Sequence, residues 1–99
     1  MILSDWFNAT SAKAFGTELA DSFIEVVPLN AKLSGKKFEQ KAEAALKRMS
    51  QQIVEFKSKN KLNVYKKAQL GNAFKWRLKD AAYQTSYIEA LTEWLVERL

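Results

Sequence analysis

The chain has 99 residues, of which 47% are apolar, 27% charged and 12% aromatic, a composition that folds rather than staying disordered. One domain of this length buries only about 60 to 65% of the surface its unfolded form exposes, so it gains from a partner subunit. With no cysteine and no histidine and a net charge of +5, it has no disulfide, no thiolate metal site, no cysteine nucleophile and none of the usual imidazole bases.

The opening MILSDWFN carries no basic segment and reaches Asp5 almost at once, unlike a secretory signal, and no stretch approaches the roughly 20 apolar residues of a membrane span. A cytoplasmic location without membrane contact is the expectation.

Spacings of three and four recur along the chain while strand-like alternation is missing, so every element reads as helix. The first is expected from Asp5 or Ser11 to Val27, with Ala12, Phe15, Gly16, Leu19, Phe23 and Val26 on one stripe. Gly16 and Ala20, four apart, suit close approach by another helix. Trp6 and Phe7 are expected to cover one end of the core. Pro28 and Gly35 bracket a stretch without period, placing a loop at 28–35.

A second helix is expected over 36–58, facing inward with Phe38, Ala42, Ala45, Leu46, Met49, Ile53 and Phe56. This is the pattern of antiparallel bundle packing. SKNKLN then supplies one Asn to close this helix and another to cap the next. The third helix is expected over 62–82. Ser86 and Glu89 have the spacing of a capping box before Ile88, Leu91, Trp94, Leu95 and Leu99, so a break and a fourth helix over 86–98 follow.

At 100° per residue the third helix has two apolar sides. Val64, Leu70, Gly71, Phe74, Leu78, Ala81 and Ala82 form a core stripe, and nearly opposite stand Tyr65, Asn72, Trp76 and Tyr83. A helix that is apolar on two sides is covered by neighbours on both, so the third helix is expected at the centre. Rings with polar tips on the second side suit a subunit interface. Gly71, which costs about 0.8 to 1 kcal/mol relative to Ala in mid-helix, is expected to have a backbone or a ring against it.

Charge is unevenly distributed. Residues 1–30 carry a net −3, residues 31–79 a net +11 and residues 80–99 a net −3. Lys57, Lys59, Lys61, Lys66, Lys67 and Lys75 gather around the junction of the second and third helices, where phosphates would be contacted if the partner were a nucleic acid. Glu89, Glu93 and Glu97 form an acidic ridge on the fourth helix, and Asp21 with Glu25 a shorter one on the first; both are available for pairing with the basic block.

Neither a phosphate-cradling glycine loop, a nucleophile elbow nor a dinucleotide fingerprint is present. The expectation is therefore a small all-α, four-helix up-and-down bundle with its third helix central. It is not expected to be an enzyme or to bind a cofactor, a metal or a small-molecule substrate. It would act as a protein-protein interaction or self-assembly module, as a homodimer, through Tyr65, Asn72, Trp76, Tyr83 and Trp94. The rival expectation is a small basic nucleic-acid-binding protein using the six lysines.

Overall fold

The computed structural model describes residues 6–27 and 35–99. Within them lie α1 (Thr10–Val26), α2 (Gly35–Lys59), α3 (Val64–Asp80) and α4 (Thr85–Arg98), and no strand. The loop expected at 28–35 falls outside the described residues except for Gly35, which opens α2, and a helix start at Asp5 falls outside them too.

Each described boundary has a local cause. Trp6 and Phe7 are helical, but the chain breaks at Asn8 and Ala9, where the Asn8 side chain accepts a hydrogen bond from the Thr10 N–H at 3.2 Å. Asn60 closes α2, its backbone and side-chain N–H groups both donating to the Phe56 carbonyl, at 2.9 and 3.0 Å. Asn63 caps α3 by accepting from the Lys66 N–H at 2.8 Å. That is the division of labour expected of the two asparagines, and it starts α3 at Val64 rather than Leu62.

The break after α3 is made without glycine or proline. Ala82 takes the left-handed conformation, φ 67°, while its N–H donates to the Lys79 carbonyl and the Tyr83 N–H to the Leu78 carbonyl. This is the Schellman pattern, which satisfies two of the carbonyls a helix end leaves free. Ala81 and Ala82 therefore leave the helix; Ala81 still packs against the core, whereas Ala82 is exposed, contrary to the expected core stripe. The capping box does not form either. The extended residue before α4 is Gln84, without a side-chain cap, which puts Ser86 inside the first turn, unable to act as the N-cap.

Packing starts from Gly16. A Cβ there would overlap the Leu70 carbonyl oxygen and lie 3.1 Å from the Ala73 methyl, so α1 and α3 touch backbone to side at this point. They run parallel: Gly16 lies level with Leu70, Asp21 with Arg77, and Val27 with Tyr83. α2 lies antiparallel on α1, joined by the Phe15–Phe56 stack at 4.1 Å, Gln52 to Ser22, and Arg48 to Glu25. α4 returns along α3, bringing the Val96 methyl to Gly71. α3 is thus the central helix, covered by α1 on one flank and α4 on the other.

One core results, with Phe23, Phe74, Leu19, Met49, Leu70, Leu78 and Leu95 enclosed. Two expectations about α3 are corrected. Val64 is 80% exposed, because it lies two turns before Gly71 and α4, level with Gly71 at Val96, ends at Arg98. Gly71 has neither backbone nor ring against it, only the Val96 methyl at an ordinary 3.5 Å.

Candidate interaction surface

The five residues expected at an interface separate into four places. Tyr65 is half-buried because the turn before α1 folds back on it. Trp6 stacks on its ring at 6.1 Å, Phe7 meets it edge-on at 5.3 Å, and Asn63 donates to the Trp6 carbonyl at 2.9 Å. Trp6 is half-buried on Tyr65, while Phe7 stays 53% exposed. Asn72 and Trp76 point outward from α3; Trp76 is 60% exposed with the Lys79 ammonium 4.7 Å from its ring centroid.

Tyr83 corrects the expectation of a single ring column. It is 7% exposed because α3 stops at Asp80 and the left-handed turn at Ala82 swings it inward. There its ring meets Phe23 at 5.7 Å and its hydroxyl donates to the Val27 carbonyl. Burial raises its pKa above the ordinary phenol value, and Tyr87 is raised likewise, by burial first and by the neighbouring Tyr83 second. Tyr83 is core.

Trp94 belongs to a feature that the sequence reading missed. Since α2 packs on α1 and α4 on α3, α2 and α4 run parallel to one another. Their seam is bridged at one end by Phe38 and Tyr87, ring centroids 5.7 Å apart, and at the other by Lys57 donating to the Arg98 carbonyl at 3.0 Å. Between these bridges lies a cavity of about 570 Å³ lined by Phe38, Ala42 and Leu46 of α2 and Tyr87, Leu91 and Trp94 of α4. A second recess, about 300 Å³, continues it past Ser50 and Val54 to Lys57 and Arg98. Phe38, Leu46, Tyr87 and Trp94 are all half-buried, and the Arg98 guanidinium lies 4.1 Å from the centre of the Trp94 ring. The signal in the sequence was the four-residue step from Phe38 to Ala42 to Leu46, which drifts off the Ala45–Met49 line.

The six lysines do not share one face. Lys57 bonds to the Arg98 carbonyl, Lys59 pairs with Glu55 at 3.2 Å, and Lys75 borders a recess with Glu89 and Glu93 between α3 and α4. Lys59, Lys61 and Lys66 do converge, around a polar cleft of about 650 Å³ beside Thr10 and Ser11 at the start of α1. Lys67 is half-buried on α3 and is not among the residues around that cleft.

Asp21 and Glu25 of α1 pair within the subunit, Asp21 with Arg77 at 2.8 Å and Glu25 with Arg48 at 3.9 Å. The α4 ridge of Glu89, Glu93 and Glu97 makes no ion pair with a described residue. Among the described residues no group of three or more acidic side chains converges on a metal position, and no helix is long and apolar enough to cross a membrane. No family model, no curated protein and no solved structure matches this chain.

Proposed function

We propose that the protein is a non-catalytic helical interaction module that associates with a second copy of itself. The observation that carries this reading is the apolar seam between α2 and α4, where Phe38, Leu46, Tyr87 and Trp94 are half-buried around a cavity of about 570 Å³. Aromatic side chains that are apolar in body and wet at one edge commonly dominate interface energetics. The outward Trp76 adds an exposed ring on α3. Covering such a surface with another helix removes its apolar area from water at roughly 25 cal/mol per Å². The test is molar mass in solution across micromolar to millimolar concentration: it rises from the 11.3 kDa of one subunit towards twice that value. A mass that stays at one subunit over the whole range, at low and high salt alike, overturns the reading.

A second reading has its own observation, the convergence of Lys59, Lys61 and Lys66 on one polar cleft. On this reading the protein binds nucleic acid through phosphate contacts, and its affinity for a generic oligonucleotide falls steeply as salt rises. Fluorescence anisotropy with a labelled single strand and a labelled duplex decides it. Binding that is absent at low salt, or that survives unchanged in a Lys59→Ala, Lys61→Ala, Lys66→Ala triple variant, removes it.

A further inference from the structure

Building on the self-association reading above, we infer that the second copy seats antiparallel along α2, about a two-fold axis near Ser50, with the α2/α4 seam of each subunit covered by the other. The argument is charge complementarity along the seam. On α2, Glu39, Glu43, Leu46, Ser50, Val54 and Lys57 recur at steps of three and four, and all six border the two recesses of the seam. At 100° per residue they fall within roughly 80° of one another, forming one face of the helix.

That face is polarised. Its N-terminal end carries Glu39 and Glu43 with Lys36, net −1, and its C-terminal end carries Lys57 with Arg98 of α4, net +2. The middle is apolar or small, with Leu46, Ser50 and Val54, and Val54 stands 69% exposed. A two-fold contact presents one patch to itself. Placed parallel, two such faces set Glu43 against Glu43 and Lys57 against Lys57. Placed antiparallel about Ser50, Glu43 of each copy meets Lys57 of the other, and Val54 of each meets Leu46 at the edge of the apolar cavity. Opposed this way, positions 43 and 57, and positions 46 and 54, are symmetric about residue 50, which sets the axis.

The size is sufficient. From Lys36 to Lys57 the seam runs about 30 Å along α2 at 1.5 Å per residue. With the width of two helices it covers roughly 500 Å² on each subunit, near the lower bound of about 1,000 Å² in total for a specific contact.

The experiment uses the intact chain, whose lack of cysteine makes any introduced thiol unique. Ser50→Cys is expected to cross-link to its own mate under mild oxidation, because only residues close to the axis come within disulfide reach of themselves. Asn72→Cys, on the outward face of α3, is the comparison. Lys57→Glu is expected to raise the dimer dissociation constant by about tenfold or more, since each reversed charge acts twice in a two-fold contact. The double variant Glu43→Lys with Lys57→Glu is expected to recover most of that loss. All four positions face solvent or are half-buried, and helical circular dichroism checks that each variant is folded. If the native chain dimerises but Asn72→Cys cross-links in place of Ser50→Cys, or the charge swap recovers nothing, the inference falls and self-association stands. If the native chain stays monomeric throughout, both fall together.

Discussion

Gly16→Ala isolates the contact on which the packing rests. On an exposed helix the change stabilises by about 0.8 to 1 kcal/mol, the difference in helix propensity. Here the added methyl overlaps the Leu70 carbonyl oxygen and crowds Ala73. The obstruction is backbone, which no rotamer change moves aside. Relief requires α1 and α3 to part by something on the order of 1 Å, and a gap of that size forfeits a quarter to a half of the dispersion attraction at each contact it opens. Leu19, Ala20, Leu70 and Phe74, all fully enclosed, stand beside it. Overpacking of this kind costs about 1 to 3 kcal/mol, and the upper part of that range applies, so the net loss after the propensity gain is about 2 kcal/mol. For a chain of this length that lowers Tm by roughly 8 to 16 °C. Thermal melts followed by circular dichroism measure it, with Gly71→Ala alongside. Gly71 meets only the Val96 methyl at 3.5 Å, so its variant keeps the propensity gain and melts about 4 to 8 °C higher. Equal shifts of the same sign for both variants would refute the assignment of Gly16 to a backbone contact.

Three further outcomes follow from named contacts. Ala82→Gly removes the penalty for an L-residue at φ 67° and is expected to stabilise by about 1 kcal/mol, read from denaturant midpoints. Asn63→Ala removes the side chain that accepts from Lys66 N–H and donates to the Trp6 carbonyl; it is expected to cost about 1 kcal/mol or somewhat more, and a cost below a few tenths would mean that the cap is idle. Tyr83 and Tyr87 hold their phenol protons to higher pH when folded than the ordinary 10.0. Their contribution to stability is therefore complete below about pH 10 and is lost as pH rises through the folded values, because the unfolded chain releases its protons first. Tyr83→Phe is expected to lower stability at neutral pH, through the lost bond to Val27, and to flatten the decline in stability above about pH 10. An unchanged alkaline slope would show that the lysines, not these phenols, set it.

The helices were legible because their signals are local. Asn60 and Asn63 end and cap their helices through residues within four positions of themselves, and Gly16 needed only its place on an apolar stripe to announce a close neighbour. Ala82 was not legible. Its left-handed turn is dictated by where α4 must go, not by the preference of alanine, and through it Tyr83 moved from the expected outer column to the core. Val64 failed for a related reason: periodicity assigns a face but does not say how far the covering helix extends. Of the expected interface residues, Trp76 and Asn72 needed only the helical wheel to be placed outward, whereas the position of Trp94 depends on which helices lie side by side.

That adjacency has a physical origin in how side-chain size is sorted across the bundle. Small residues, Gly16 with Ala73 opposite, stand where α1 meets α3. The rings of Phe23, Phe38, Tyr83 and Tyr87 form a chain of contacts at 5.7 to 6.4 Å towards α2 and α4. Helices separated by glycine and alanine approach closely, whereas helices separated by rings are held apart. One side of the cross-section therefore closes while the opposite side, between α2 and α4, stays wide enough for a cavity. A hydrophobic pattern treats Gly16 and Phe38 alike as inward positions and so is blind to this asymmetry, and it is the asymmetry that leaves Trp94 and Leu46 facing an open seam. Widening the α1/α3 side at Gly16 would thus disturb the α2/α4 side as well, and Gly16→Ala is expected to weaken self-association beyond what its loss of folded protein accounts for. Dissociation constants compared at equal folded fraction test that link.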